Sequence, residues 1–284
     1  MSDADPAGGL LVIDKPGGIT SHDAVAMIRR ALGIRKVGHA GTLDPLATGL
    51  LLVGVGRATR LLRFLGDLPK RYEGTATLGV ETSTLDADGE VTRRSDPGAV
   101  DETGLLGAMG RFVGDVRQVP PSYSAVKVGG ERLYRAARAG RELEAPARTV
   151  RVDAFGLLGF EPPTFDFSVT CSSGTYVRSL VADVGGELGC GAHLARLRRV
   201  AIGPFRVEGA TTPEAPGMPL PVVRAVEHLP ALTLHPDEAR VAAHGSPLGP
   251  AGLVGPYRVH APDGRLIGIY RDEIAKAVPE VILA

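Results

Sequence analysis

The feature that most constrains the fold of this chain is that several strand-like segments follow one another without a helix between them. Residues 10–13 and 49–56 form apolar runs typical of buried strands, and residues 71–82 alternate between apolar and polar side chains. Two further strand-like segments, 148–160 and 164–171, are adjacent in the chain. Because a parallel βαβ repeat places a helix after each strand, this order predicts an α+β fold with a mixed, largely antiparallel sheet flanked by helices.

Helical patterns lie between some of these strands. Thr20 followed by Asp23 fits a capping box, and Gly33 follows the apolar stripe of Val25, Ile28 and Leu32, so a helix is predicted here that packs by that face. The dipeptide Asp88-Gly89 predicts a turn of the type that joins hairpin strands. Further helices are predicted over 57–66, 101–113, 131–139 and 177–189.

The 284-residue length suits one large domain with a small one. Residues 211–221 contain four prolines and are interpreted as a linker or rim segment, and short apolar pieces split by Pro and Gly follow from about residue 231. We therefore predict an N-terminal tail over 1–9, a large domain over 10–225 and a small β-rich domain over 226–284.

Several classes of function are excluded by what the sequence lacks. Cys171 and Cys190 belong to no C-x-x-C pair and are interpreted as buried free thiols, and no phosphate-binding, dinucleotide-binding or zinc motif occurs. The pair Asp86 and Asp88 fits a turn better than a metal site. Without a signal peptide or an apolar run long enough for a membrane span, a cytoplasmic protein with no metal and no membrane contact is expected.

Charge is balanced overall, with 32 basic and 32 acidic residues, but it is distributed unevenly. Residues 27–71 carry nine basic side chains and two acidic ones, and residues 188–207 carry four arginines and no acid. Such blocks would attract phosphate if the fold brought them together, although each could also simply solvate an exposed face. Asp44 is the only acid between Arg35 and Arg60.

Around Asp44 the sequence resembles a known family. The segment GHAGTLDPLATGLL is similar to the catalytic motif of the TruB-type pseudouridine synthases, apart from Ala40 where threonine is expected. Four more segments resemble that family's motifs and follow in its order across about 200 residues: VIDKPGGITSHDAV, KRYEGTATLGVETSTLDADGEV, VPPSYSAVKVGGERLYRAARAG and CSSGTYVRSLVADVGGELGCGAHLARLRRVAIGPF.

The resemblance implies a pseudouridine synthase catalytic domain that isomerises uridine-55 in the T loop of tRNA. This isomerisation exchanges no group or electrons with a second substrate, so no cofactor is expected. One carboxylate can act as the nucleophile, as in covalent glycosidase chemistry, and the resemblance assigns this role to Asp44. Whether Asp44 attacks C6 of the base or C1′ of the ribose stays open, and an Asp that merely shapes an Asp-Pro turn is the structural alternative.

The resemblance implies roles for further residues. Arg178 would pair with Asp44, and Tyr72 would stack on the target base and assist deprotonation at C5. Tyr176 and Leu197 would complete the pocket, and His39 would occupy the gap left by the flipped nucleotide. Taken singly, each of these could instead be an ordinary core or surface residue. The side chains predicted to contact RNA phosphates are Arg57, Arg60, Arg132, Arg196, Arg198 and Arg199.

The same resemblance makes residues 226–284 a PUA-like RNA-binding domain, with a purely structural β-appendage as the alternative. The expected partner is the T arm of tRNA, bound by a monomer that needs no other protein. Two other functions remain open at this point. One is a non-catalytic tRNA-binding or folding module, and the other is a guide-RNA-dependent relative, which the absence of basic tails disfavours.

Overall fold

The computed structural model describes residues 8–124, 126–141, 143 and 145–283. The strands in chain order are β1 (Gly9–Lys15), β2 (Val37–Ala40), β3 (Thr48–Val55), β4 (Lys70–Leu78), β5 (Val80–Thr82), β6 (Val91–Arg94), β7 (Gly114–Gln118), β8 (Lys127–Val128), β9 (Glu131–Arg132), β10 (Arg148–Glu161), β11 (Thr164–Cys171), β12 (Ala192–Ile202), β13 (Phe205–Arg206), β14 (Ala231–Thr233), β15 (Pro256–His260), β16 (Leu266–Asp272) and β17 (Ala277–Ile282). The helices are α1 (Ser21–Leu32), α2 (Leu62–Gly66), α3 (Glu102–Gly110), α4 (Leu133–Arg138), α5 (Val177–Glu187) and α6 (Pro236–Ala242).

A nine-stranded sheet forms the centre of the molecule. Its main path runs β1-β3-β12-β4-β11-β10-β7, with β2 added beside β3 and β13 beside β12. β12 pairs in parallel with β3 and antiparallel with β4, and the other pairings of this sheet are antiparallel. The predicted mixed, largely antiparallel sheet is therefore confirmed. The buried faces of β4, β10 and β11 form one core with α3 and α5.

Helix α1 forms where its capping signals predict. The Thr20 side chain accepts from the Asp23 backbone, the Asp23 side chain accepts from the Thr20 backbone, and Gly33 closes the helix in the left-handed conformation at φ 66°. Val25 and Ile28 are buried against β1 and β3, while Leu32 at the last turn is only half-buried. The first residue of this helix, Ser21, is thereby fixed beside the loop that carries Asp44.

Two predicted helices differ from the observed elements. The segment 57–66 begins as a 3-10 turn over Gly56–Leu61 and becomes α-helical only as α2. The segment 131–139 contributes its first two residues to β9, which pairs with β8 in a small hairpin, so α4 starts later. In both cases pairing or packing with a neighbouring element overrides the local helical pattern.

The second sheet, ordered β14-β15-β16-β17, packs against the helical segment that contains Leu61 and Leu65. Leu61 and Leu65 share one core cluster with Ile269 and Val281. The predicted boundary at residue 226 precedes this sheet and stays a prediction. Of the predicted tail 1–9, residues 1–7 lie outside the described residues, and Gly9 already belongs to β1.

None of the helices in the described ranges is long and apolar enough to cross a membrane.

Candidate active site

Asp44 lies in the loop between β2 and β3, and helix α1 fixes that loop. The Ser21 hydroxyl accepts from the Leu43 backbone N–H at 2.9 Å and donates to the Leu43 carbonyl at 3.2 Å. The Ala47 N–H donates to the Asp44 carbonyl at 3.1 Å and closes a turn around the Asp-Pro pair. Two hydrogen bonds from the buried Ser21 thus hold the backbone of Leu43. Because Leu43 precedes Asp44, these bonds also fix the position from which the Asp44 side chain projects.

Arg178 projects from the start of α5 onto Asp44. Its Nε lies 3.0 Å from Asp44 Oδ2, although 134 positions separate the two residues in the chain. The guanidinium is also held from behind, because Nη1 donates to the Thr84 carbonyl and Nη2 to the Tyr123 carbonyl. The structure therefore brings together the pair that the family resemblance implies, and it orients the arginine with contacts on three sides.

A second carboxylate, Asp86, shares this arginine. Asp86 Oδ2 lies 3.3 Å from Arg178 Nη1, and both side chains are only 6% exposed. The other oxygen, Oδ1, accepts from the Asp88 N–H at 3.2 Å and from the Thr84 hydroxyl. The interpretation of Asp86 as a turn residue was therefore incomplete, since the same carboxylate also anchors Arg178. No local pattern reveals this contact, because its partner lies 92 positions away.

The charge state of Asp44 reflects opposing influences. Burial raises the pKa of its carboxyl group above the usual 3.8, the Arg178 cation opposes this rise, and the Asp86 carboxylate adds to it. The arginine thus favours the ionised form without fully offsetting the loss of hydration. A carboxylate that is partly desolvated but still charge-paired is chemically suited to act as a nucleophile.

Asp44 and Arg178 open into a pocket of about 290 Å³. Tyr72 from β4, Tyr176 at the start of α5 and Leu197 from β12 line the same pocket. Tyr72 is buried, and this burial raises the pKa of its phenol, while the Arg199 cation opposes the rise. Five residues that the resemblance singles out therefore surround one cavity with an aromatic, aliphatic and ionic wall.

His39 lies apart from this wall. It belongs to β2, opposite Val53 of β3, and its ring meets that of His22 edge to face with 5.4 Å between centroids. Burial lowers the pKa of His39 to about 4, so the ring is neutral at physiological pH. Its Nδ1 is buried without a hydrogen-bond partner. His39 therefore lies on the strand that leads into the Asp44 loop, and it is not among the residues lining the pocket.

Arg199 was predicted to contact RNA phosphate, but the structure buries this side chain at the wall of the pocket, so contact with RNA stays a prediction. The side chain is 1% exposed, and its Nε donates to the Leu50 carbonyl at 2.7 Å. Its Nη2 donates to the Gly41 carbonyl at 3.0 Å, so the guanidinium ties β12 to β3 and to the Asp44 loop. The sequence did contain a signal for this burial. Side chains two positions apart on a strand share a face, and Arg199 lies two positions after the buried Leu197 on β12.

The other predicted phosphate ligands occupy different surroundings. Arg57 and Arg60 donate to the carbonyls of Leu283 and Ile282, and so help dock the C-terminal sheet while remaining exposed. Arg198 forms a two-bond ion pair with Asp14, at 3.0 and 2.6 Å. Exposed positions are also occupied by Arg132 and Arg196. RNA contact by these five side chains stays a prediction.

Comparisons with known proteins agree on one family. The model described as "TruB family pseudouridylate synthase (N terminal domain)" matches residues 29–177, and models of the family's C-terminal regions match 178–215 and 229–284. The tRNA pseudouridine synthase B of Thermobifida fusca is 46% identical over 98% of this chain and 99% of its own length. That of Mycolicibacterium paratuberculosis is 44% identical over 97% of each.

Solved structures agree with the sequence comparisons. A chain in a crystal structure of a Cbf5-Nop10-Gar1 complex has a TM-score of 0.73 and 28% identity, covering 97% of this chain and 84% of that one. A chain in a structure of an H/ACA RNP bound to a substrate RNA containing 2′-deoxyuridine has a TM-score of 0.72 and 26% identity, covering 97% and 85%. The fold, the ordered motifs and the near-complete coverage by bacterial relatives together show that the chain belongs to the TruB family of pseudouridine synthases.

Proposed function

We propose that this chain converts a uridine of tRNA, at position 55 in the T loop, to pseudouridine. The observation that carries the proposal is the Asp44 carboxylate held at 3.0 Å by the buried Arg178 at the edge of a pocket walled by Tyr72. The bacterial relatives named tRNA pseudouridine synthase B, 41–46% identical over nearly the whole chain, support the substrate.

In the proposed reaction the target nucleotide leaves its stack and enters the pocket. Asp44 forms a covalent bond with the nucleotide, the N1–C1′ bond breaks, the base turns, and C5 bonds to C1′. The proton leaves C5, N1 gains one, and Asp44 is released, so substrate and product are isomers. Asp44 can begin this sequence at C6 or at C1′.

The neighbouring side chains have distinct parts in this proposal. Arg178 positions the Asp44 carboxylate and keeps it ionised. Tyr72 stacks on the base, and its phenolate form accepts the C5 proton and becomes the neutral phenol. The nearby Arg199 cation favours this phenolate, because it lowers the Tyr72 pKa against the opposing effect of burial. Tyr176 and Leu197 exclude water from the remaining sides of the base.

The RNA itself would lie across the basic face beside the pocket. Arg196 and Arg198 line a groove of about 490 Å³ that shares Leu197 with the Asp44 pocket, which supports a path for the RNA backbone there. The C-terminal sheet would extend this face as a PUA-like domain, and His39 would support the RNA at the vacated position. The active species would be a cytoplasmic monomer that needs no guide RNA or partner protein.

The test is to map pseudouridine in an unmodified tRNA transcript incubated with purified protein, and to repeat it with Asp44→Asn. The wild type should convert one T-loop uridine, and the variant should bind the transcript without converting it. Conversion by Asp44→Asn would refute the nucleophile assignment. A wild type that binds but never converts would indicate the non-catalytic alternative, and conversion only with added guide RNA would indicate the guide-dependent one.

A further inference from the structure

Unpaired buried polar atoms concentrate at the Asp44 pocket. Among the described residues, buried side-chain nitrogen or oxygen atoms without a hydrogen-bond partner occur on His39, Ser124, Arg148 and Arg178. The last three residues line the pocket, and Arg178 is already charge-paired with Asp44. Because buried polar groups in proteins are almost always hydrogen-bonded, Ser124 and Arg148 mark a place where a ligand supplies the missing partner.

Arg148 is held rigidly at the pocket wall. Its guanidinium carbon lies 4.7 Å from the centre of the Tyr176 ring, and its Nη2 donates to the Gly174 carbonyl. Stacking and this hydrogen bond fix the plane of the guanidinium, while the buried Nε–H finds no acceptor. The free donor therefore has a set direction before any ligand arrives, which is the preorganisation that a binding site needs.

Ser124 supplies a second donor in the same pocket. The residue is 6% exposed and its hydroxyl has no hydrogen-bond partner, yet its carbonyl accepts from the Tyr134 N–H at 3.2 Å. The preceding carbonyl, that of Tyr123, accepts from Arg178 at 3.1 Å. The backbone on both sides of the serine hydroxyl is thus anchored, one side of it directly to the Asp44–Arg178 pair.

The charge of the pocket favours an anion at this place. Four cations, Lys70, Arg148, Arg178 and Arg199, line it together with one carboxylate, Asp44. Arg178 already faces Asp44 and Asp86, whereas Arg148 keeps a buried Nε–H without an acceptor. We propose that Arg148 and Ser124 form a phosphate subsite, which binds a phosphodiester group flanking the uridine that enters the pocket. This inference rests on the proposed function and specifies which part of the RNA this side of the pocket recognises.

The experiment measures binding of T-arm RNA hairpins to protein carrying Asp44→Asn, which prevents turnover. One hairpin is unmodified, and two others carry a neutral methylphosphonate in place of the phosphate on the 5′ or the 3′ side of the target uridine. With Arg148 intact, one of the two neutral linkages should weaken binding roughly 10- to 100-fold, as expected for the loss of a charged hydrogen bond. With Arg148→Ala added, the same linkage should weaken binding less than about threefold, because the two changes remove one contact.

Matched variants separate this subsite from a structural role of Arg148. Arg151→Ala removes an exposed arginine of the same strand that already pairs with Asp115, and it should leave the methylphosphonate effect unchanged. Ser124→Ala should reduce the effect in part. If Arg148→Ala weakened binding of all three hairpins by the same factor, the arginine would act only on the fold of the 172–176 turn, and the proposal would be overturned.

Failure of the subsite and failure of the proposed function give different results. If wild-type protein forms pseudouridine in the unmodified hairpin, but the Asp44→Asn protein shows no coupling between Arg148 and either linkage, the function stands and the subsite is refuted. If wild-type protein forms no pseudouridine, but the Asp44→Asn protein shows the coupling, the function is refuted and the subsite is supported.

Discussion

Asp86 and Asp44 face the same arginine, but only the removal of the Asp86 charge should lower the stability of the fold. Asp86 is 6% exposed and its carboxylate contacts Arg178, the Thr84 hydroxyl and the Asp88 N–H. Asp86→Asn preserves the shape but removes the charge, so a buried charge-assisted contact is lost. Since Asp44 still faces Arg178, the cost should stay below that of a fully broken buried pair, at about 2 kcal/mol.

Asp44→Asn should behave differently. The pKa of Asp44 is raised in the folded protein, so the fold binds the proton more tightly than the unfolded chain does. Ionised Asp44 therefore lowers the free energy of unfolding as pH rises above the usual pKa of 3.8. A neutral Asn should leave stability at pH 7 unchanged or raise it by less than about 1 kcal/mol, because Asp44 is 45% exposed and solvent screens its interactions.

Thermal unfolding at pH 7, followed by circular dichroism, tests this pair. Asp86→Asn should lower the Tm by roughly 4–8 °C, and Asp44→Asn should not lower it. Pseudouridine formation should fall roughly 100-fold in Asp86→Asn, since a misplaced Arg178 no longer aims the carboxylate, while RNA binding is retained. A Tm loss in Asp44→Asn that exceeds the loss in Asp86→Asn would show that Asp44, and not Asp86, is the structural anchor of Arg178.

Three further predictions concern the buried Arg199, the pocket residue Tyr72 and the ion-paired Glu280. Arg199→Met should lower the free energy of unfolding in urea by about 2–6 kcal/mol, because the buried Leu50 carbonyl and the part-buried Gly41 carbonyl lose their donor. The exposed Arg196→Met should change it by less than about 0.5 kcal/mol, and equal effects would contradict the assigned role of the buried arginine. Tyr72→Phe should bind tRNA within about twofold of wild type, because the ring is kept. It should lower the single-turnover rate at least about 100-fold, because the proposed proton acceptor is lost. An unchanged rate would exclude the hydroxyl group from the chemistry. Glu280→Gln should lower the free energy of unfolding by less than about 1 kcal/mol at low salt, because its two arginine partners are partly exposed. This difference from wild type should shrink in 1 M NaCl, and a difference that grew with salt would rule out a screened ion-pair contact.

Features that depend on neighbours in the chain were predictable from the sequence. Thr20, Asp23 and Gly33 set the ends of α1 because capping bonds join residues three or four positions apart. Apolar runs likewise indicated the buried strands β1 and β3. The segment around Asp44 identified the candidate nucleophile through its resemblance to a family, which is information about related sequences and not about local physics.

Burial along β12 was only partly predictable. A basic cluster of Arg196, Arg198 and Arg199 suggested one phosphate-binding block, yet the strand directs Arg196 and Arg198 to one face and Arg199 to the other. Strict alternation from the apolar Leu197 would have placed Arg199 correctly. Which of the two faces lies against the Asp44 loop, however, is set by the parallel pairing of β12 with β3.

By itself, then, the sequence determined the local elements, the mixed character of the sheet and the candidate nucleophile. Only the tertiary structure decided which charged side chains meet. Asp86 joins Arg178 across 92 positions, and Arg63 joins Glu280 across 217. The physical reason is that a charge contact depends on distance in space, and strand order determines that distance for residues far apart in the chain. For the same reason, the unpaired donors of Arg148 and Ser124 became visible only once the pocket around them was formed.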